Sequence, residues 1–195
     1  MTTSPFAAGH VVFAADGTLW ALGRVHSANY DDEPEYDCLR HYDTTGKLIG
    51  SALPRSSFAP GRIGPASESL LTASADRIGV VSLTSQEYAE ISPTTGEVLG
   101  HWKVPNLSRK STGAALLKGN ELYISGQSYA DKRVAGATLS HFNKTTGALE
   151  EVDAQKLYGD REKWFYIMGA EENHLVLRMG PSGVMAWVGV AGGSE

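Results

Sequence analysis

Cysteine is nearly absent from this 195-residue chain. Cys38 stands alone, which excludes an internal disulfide and any cysteine-based zinc cluster. It reads as a buried strand thiol; acting as a nucleophile would require a histidine beside it in space, and His41 is only a sequence neighbour. Long apolar runs are missing too. The longest, Gly113 to Leu117 and Gly183 to Ala191, fall far short of the ~20 residues a membrane helix needs, so a soluble protein is expected. Positive charge is in deficit: the net charge of −5 gives no bulk attraction to nucleic acid or to an anionic membrane, and neither is expected as a partner. The opening MTTSPFAAGHVV has no basic residue before its short apolar stretch, unlike a secretory signal. The expected location is cytoplasmic, or secreted or periplasmic with the signal already removed.

Glycine, by contrast, is plentiful. Twenty-two Gly exceed the usual share of about 7% and suggest many tight turns between short strands. They also mark a repeat. The segments HYDTTGKLIG at 41–50, EISPTTGEVLG at 90–100 and HFNKTTGALEEV at 141–152 share a Thr-Thr-Gly turn, with Gly46, Gly96 and Gly147 spaced 50 and 51 residues apart. In each copy an apolar or aromatic residue (Tyr42, Ile91, Phe142) precedes the turn and a second apolar stretch follows it, so each predicts a hairpin whose glycine takes a positive φ. A second hairpin lies upstream of each: VVFAADGTLWALG at 11–23, LLTASADRIGVVS at 70–82 and AALLKGNELYISG at 114–126. A fourth copy opens with FYIMGAEENHLVL at 165–177 and continues into GVMAWVGV.

Two hairpins per repeat make four antiparallel strands, and a fifty-residue period of four-stranded sheets predicts propeller blades. The expected fold class is therefore all-β, a β-propeller of about four antiparallel four-stranded blades in a single domain over 1–195, the blades lying roughly at 10–52, 68–103, 113–152 and 164–195. At YDTTGKLIG and ISPTTGEVLG the chain resembles quinoprotein-like, NHL and gluconolactonase-like propeller repeats. That resemblance concerns architecture only, since those families share a blade and differ in function. The fourth blade shows three strands and then AGGSE, and MTTSPFAAG offers no strand to complete it. An incomplete ring leaves sheet edges uncovered that can pair with other chains. The expectation is either a homo-oligomer whose rings complete each other or a piece of a longer propeller.

The turns within hairpins fall at one end of a blade and the remaining connections at the other. The first set is minimal, whereas the second contains the stretches 24–37, 51–68, 101–112, 127–136 and 153–164, and long loops on a rigid scaffold are where binding resides. Loop 24–37, RVHSANYDDEPEYD, supplies His26, Asn29, Asp31, Asp32 and Glu33 as candidate ligand-binding residues. Arg62, Arg109 and Arg133 supply positive charge expected on the same face, a pattern that fits selection of a polar partner or ordinary solubilising charge. The acidic loop offers oxygen ligands of the kind Ca²⁺ takes, but its spacing is not that of an EF-hand and no glycine makes the bend. No metal site is expected, and no cofactor.

Nucleophile-elbow, HExxH, phosphate-loop and GxGxxG signatures are absent, so catalytic residues remain unassigned. His41 and His141 share one repeat position and read as packing or surface residues; Trp20, Trp102, Trp164 and Trp187 read as packing between blades. The function expected is a non-catalytic scaffold binding a protein or small polar ligand through its long-loop face. The alternative is a metal-dependent hydrolase resembling gluconolactonase-like propellers, whose ligands would come from Asn29, Asp31, Glu33 and Asn106.

Overall fold

A computed structural model of the chain describes residues 6–25, 35–58, 69–107, 111–117, 119–130, 133–153, 164–180 and 182–190. The described residues form fifteen strands and one short helix: β1 Phe6–Phe13, β2 Leu19–Val25, β3 Asp37–Tyr42, β4 Leu48–Pro54, α1 Arg55–Phe58, β5 Ser69–Ala73, β6 Ile78–Ser82, β7 Glu87–Ile91 and β8 Val98–Lys103, followed by β9 Ser111–Leu116, β10 Leu122–Ala130, β11 Arg133–Asn143, β12 Ala148–Val152, β13 Trp164–Glu171, β14 His174–Gly180 and β15 Met185–Gly189. They assemble into three four-stranded sheets and one of three strands, each antiparallel and in sequence order. This is the expected all-β, propeller-type architecture of four blades, with the fourth lacking an outer strand among the described residues.

The repeat is visible in register. Leu19 pairs Tyr42 in blade 1, Ile78 pairs Ile91 in blade 2 and Leu122 pairs Phe142 in blade 3, so one residue after the first turn always faces the apolar residue before the second. The Thr-Thr-Gly turns explain their own sequence. Gly46, Gly96 and Gly147 have φ of 84°, 75° and 70°, left-handed values that a side chain resists. Each donates its N–H back to the residue that opens the turn, Asp43, Ser92 or Asn143. The opening side chain binds forward: Asp43 Oδ1 accepts from the Thr45 N–H at 2.8 Å, Ser92 Oγ from the Thr95 N–H at 3.1 Å and Asn143 Oδ1 from the Thr145 N–H at 3.0 Å. Short polar side chains serve here because they can replace a backbone acceptor.

The chain divides into two compact units, residues 1–103 and 104–195. In the first, alternation along the strands places Val12, Trp20, Leu22 and Leu39 on one face of blade 1, and they share a core with Leu71, Ala73, Ile78, Val80, Ala89 and Ile91 of blade 2. Trp20 is fully buried, and its indole N–H donates to the Pro93 carbonyl of the neighbouring blade at 3.1 Å. In the second unit Ala115, Tyr123 and Leu139 of blade 3 share a core with Phe165, Leu175, Leu177 and Val188 of blade 4. Gly113 allows this approach: a Cβ there would stand 2.8 Å from the Ile167 carbonyl oxygen.

Four expectations need correction. Residues 127–136, expected as a long loop, belong largely to a hairpin, because β10 continues to Ala130 and β11 resumes at Arg133. Blade 1, expected from about residue 10, begins at Phe6, with Phe6, Ala7 and Ala8 paired to Val25, Arg24 and Gly23 of β2. Trp187 does not pack between blades: it is 57% exposed on β15. The long connections are also shorter than expected, since β4 reaches Pro54 and β8 reaches Lys103.

Candidate functional site

Within each blade the turns joining strands one to two and three to four lie at one end; the stretches between strands at the opposite end are 26–36, 55–68, 104–110 and 153–163, with shorter ones at 83–86, 131–132 and 181–184. His26, Asn29, Asp31, Asp32, Glu33, Arg62 and Arg109 lie outside the described residues, and Arg133 is described only as the first residue of β11. None of these eight side chains is among those the structure describes. Asn106 is described and adopts a left-handed φ of 66° in the connection after β8.

What is described at this end of blade 1 is the base of the acidic loop. Glu35 Oε1 accepts the backbone N–H of Ser56 at 3.1 Å, and the Arg55 N–H donates to the Tyr36 carbonyl at 2.9 Å. Asp37 accepts from the Ser51 hydroxyl on β4. The two segments that flank the loops, 35–37 and 51–56, are thus stitched together. Leu53, beside them, holds a φ of 62° while 6% exposed, a conformation that costs roughly 1–2 kcal/mol for an L side chain and turns β4 into α1.

Blade 2 contributes a carboxylate that sequence reading missed. Glu87, the first residue of β7, is 7% exposed; it bonds Lys103 directly and lies 3.3 Å from His101 Nε2. Register explains the cluster, since Lys103 is the cross-strand partner of Glu87 and His101 that of Ala89. The one available signal was an acidic residue opening EYAEI, a segment buried throughout; without strand register its partners were invisible. Deeper in the same blade Glu90 accepts from the Tyr88 hydroxyl at 2.7 Å, with Arg77 Nε 3.7 Å away.

Three further reactive groups are buried or paired inside the blades. Cys38 is fully buried, and burial, reinforced by the Glu35 and Asp37 carboxylates, pushes its pKa up to about 12; a thiol so protonated is a poor nucleophile. His41 stacks on Trp20 at 4.1 Å and lies 2.8 Å from the Thr18 hydroxyl, as a packing residue should. His141 sits against Tyr123, bonded to Glu121 with Glu150 3.8 Å away. Among the described residues no group of three His, Cys, Asp or Glu side chains is placed to hold a metal ion, and no helix is long and apolar enough to cross a membrane.

No known family matches the chain, and no curated protein does. Solved structures do. A protein of unknown function from Bacteroides caccae superposes with a TM-score of 0.53 at 11% identity, over 91% of this chain and 57% of that one. A catalytically inactive virginiamycin B lyase from Staphylococcus aureus, with quinupristin, superposes with a TM-score of 0.51 at 13% identity, over 98% of this chain and 58% of that one. Such identities show a shared fold alone, and this chain spans less than two thirds of the length of either structure.

Proposed function

We propose that the chain is a non-catalytic binding scaffold that engages a protein or a small polar ligand through the long-loop end of its blades. One observation carries the reading: the two ends are built unequally. At one end Asp16-Gly17 and the three Thr-Thr-Gly turns close each hairpin with a few residues and satisfy their own polar groups. At the other end four longer connections, beside short ones at 83–86, 131–132 and 181–184, leave a rigid sheet framework, where sequence can vary without cost to the core. The carboxylates there, Glu35, Asp37 and Glu87, are held by backbone, hydroxyl and ammonium donors. Fixed charges beside loops select a polar partner by complementary potential.

Similarity to a lyase at 13% identity over 58% of that protein supports the blade architecture and does not bring its chemistry, because one fold hosts many activities. The test is a panel of lactones and esters offered to the purified chain with and without added Ca²⁺ or Zn²⁺. The scaffold reading expects rates equal to the buffer blank in every condition. Turnover that depends on added metal, and that falls on substitution of Asp31 or Glu33 by Ala, would replace it with the hydrolase reading.

A further inference from the structure

The geometry points to a head-to-tail contact between two copies of this chain, in which the open face of blade 4 in one copy covers the open face of blade 1 in the other. Each blade has two faces. Within the first unit, the face of blade 1 bearing Trp20 and Leu22 covers the face of blade 2 bearing Ile78 and Val80. Within the second, the face of blade 3 bearing Tyr123 and Leu139 covers the face of blade 4 bearing Leu175 and Leu177. Every described contact of this kind therefore joins a covering face to a covered face of the following blade.

Two apolar patches, one on each kind of face, are exposed among the described residues, the one on blade 1 confined to its first strand because Ala21 beside it is buried. On blade 1, Val11 and Phe13 alternate with Val12 and are 54% and 70% exposed. Matching the hairpin turns of the two blades aligns Val11 and Phe13 with Leu71 and Ala73, which lie in the core beneath blade 1. Blade 1 thus presents a face that elsewhere in the chain is covered by a neighbour. On blade 4, Trp187 pairs Val176 across the sheet, opposite the buried Leu175 and Leu177 face. Trp187 is 57% exposed, and Met168 and Met185 are 58% and 41% exposed. Blade 4 thus presents a covering face. Its Trp187 occupies the repeat position of His41, whose ring stacks on Trp20 at the blade 1–blade 2 core.

Both sides also carry charge. Arg40, across the sheet from Ala21 on the open side of blade 1, lies under the Phe6 ring at 4.1 Å. On blade 4 the Glu171 carboxylate accepts the Trp187 indole N–H at 2.8 Å. Apolar surfaces of complementary kind are a pair that a second copy brings together without any new sequence, although Arg178, exposed and paired with Met185 across the sheet, adds a positive charge to the blade 4 side. A heterologous contact closes when rotation allows, and two copies contribute about eight blades, within the range of about four to eight found in single propellers.

Light scattering across a concentration series tests this. The expected particle is twice the 20.8 kDa chain mass, dissociating on dilution; a monomer at every concentration overturns the proposal, leaving further blades of a longer chain as the cover. Phe13→Glu and Trp187→Glu alter exposed side chains and are each expected to give folded monomers by circular dichroism. An equimolar mixture of the two is the decisive arm, because each variant retains the face the other lacks. Recovery of a dimer in the mixture is expected; dimerisation of either variant alone, or a mixture that stays monomeric, would refute a head-to-tail pairing. Val11→Lys and Met185→Lys repeat the pair of changes should either first variant misfold.

Discussion

Trp20→Ala removes the side chain that most directly ties one blade to the next. The indole is fully buried, stacked on His41 at an interplanar angle of 11°, and hydrogen-bonded to Pro93 of blade 2. Its ring edge also lies against Gly96, where a Cβ would stand 3.4 Å from it. Truncating a buried Trp to Ala costs about 3–5 kcal/mol in transfer and cavity terms. A protein of this size loses roughly 1–3 kcal/mol of stability per molar urea, so the unfolding midpoint is expected to fall by about 1–5 M. Trp20→Phe keeps most of the packing and loses the indole donor, a smaller effect of about 1–2 kcal/mol. Urea titration followed by far-ultraviolet circular dichroism measures both without depending on indole emission, and Thr94→Ala, at an exposed turn residue, is the control expected to stay within about 0.5 kcal/mol. If Trp20→Ala shifts the midpoint no further than Thr94→Ala does, the blade 1 to blade 2 packing described above is wrong.

Other consequences are open to measurement. Burial holds the His41 imidazole below its ordinary value of 6.5, with the Asp16 carboxylate opposing the shift. The folded state therefore favours the neutral ring, and the stability this contributes is present above pH 6.5 and lost as pH falls toward the folded-state value. Urea midpoints measured from about pH 7.5 to about pH 5 should decline less steeply in His41→Phe than in the parent. Cys38, with its thiol pushed up to about 12, should resist an aromatic disulfide reagent in buffer and react fully in urea; rapid labelling of the native chain would contradict its burial. Gly147→Ala should cost about 1–2 kcal/mol from the left-handed backbone alone, since nothing lies within 4 Å of the new Cβ. Gly113→Ala should cost about 1–3 kcal/mol by overpacking against the backbone of blade 4, and thermal unfolding of the two variants separates strain from collision.

The sequence made blades legible because turn chemistry is local. Gly46, Gly96 and Gly147 announce themselves by needing a positive φ, and the apolar residues on either side follow the two-residue period of a strand. Strand ends are less local. Ala7 and Ala8 carry no strand preference and are ordered by pairing with Arg24 and Gly23 of β2. The polar run after Gly126 reads as loop, yet β10 and β11 pair as far as Ala130 and Arg133. Glu87 was hidden for the same reason, since Lys103 is sixteen residues away in sequence and opposite it in the sheet. Trp187 was read as packed because indoles usually are; its blade has no following neighbour among the described residues to cover that face.

Native-state hydrogen exchange with peptide-level readout tests the central claim most directly, namely that four antiparallel blades recur with a fifty-residue period. Strands paired on both sides retain their amide protons longest, so protection is expected to peak at β2–β3, β6–β7, β10–β11 and β14, and to fall at the outer strands β4, β8 and β12. Protection that rises and falls with that period would sustain the blade architecture. Protection without the period, or strongest across β4, β8 and β12, would contradict it.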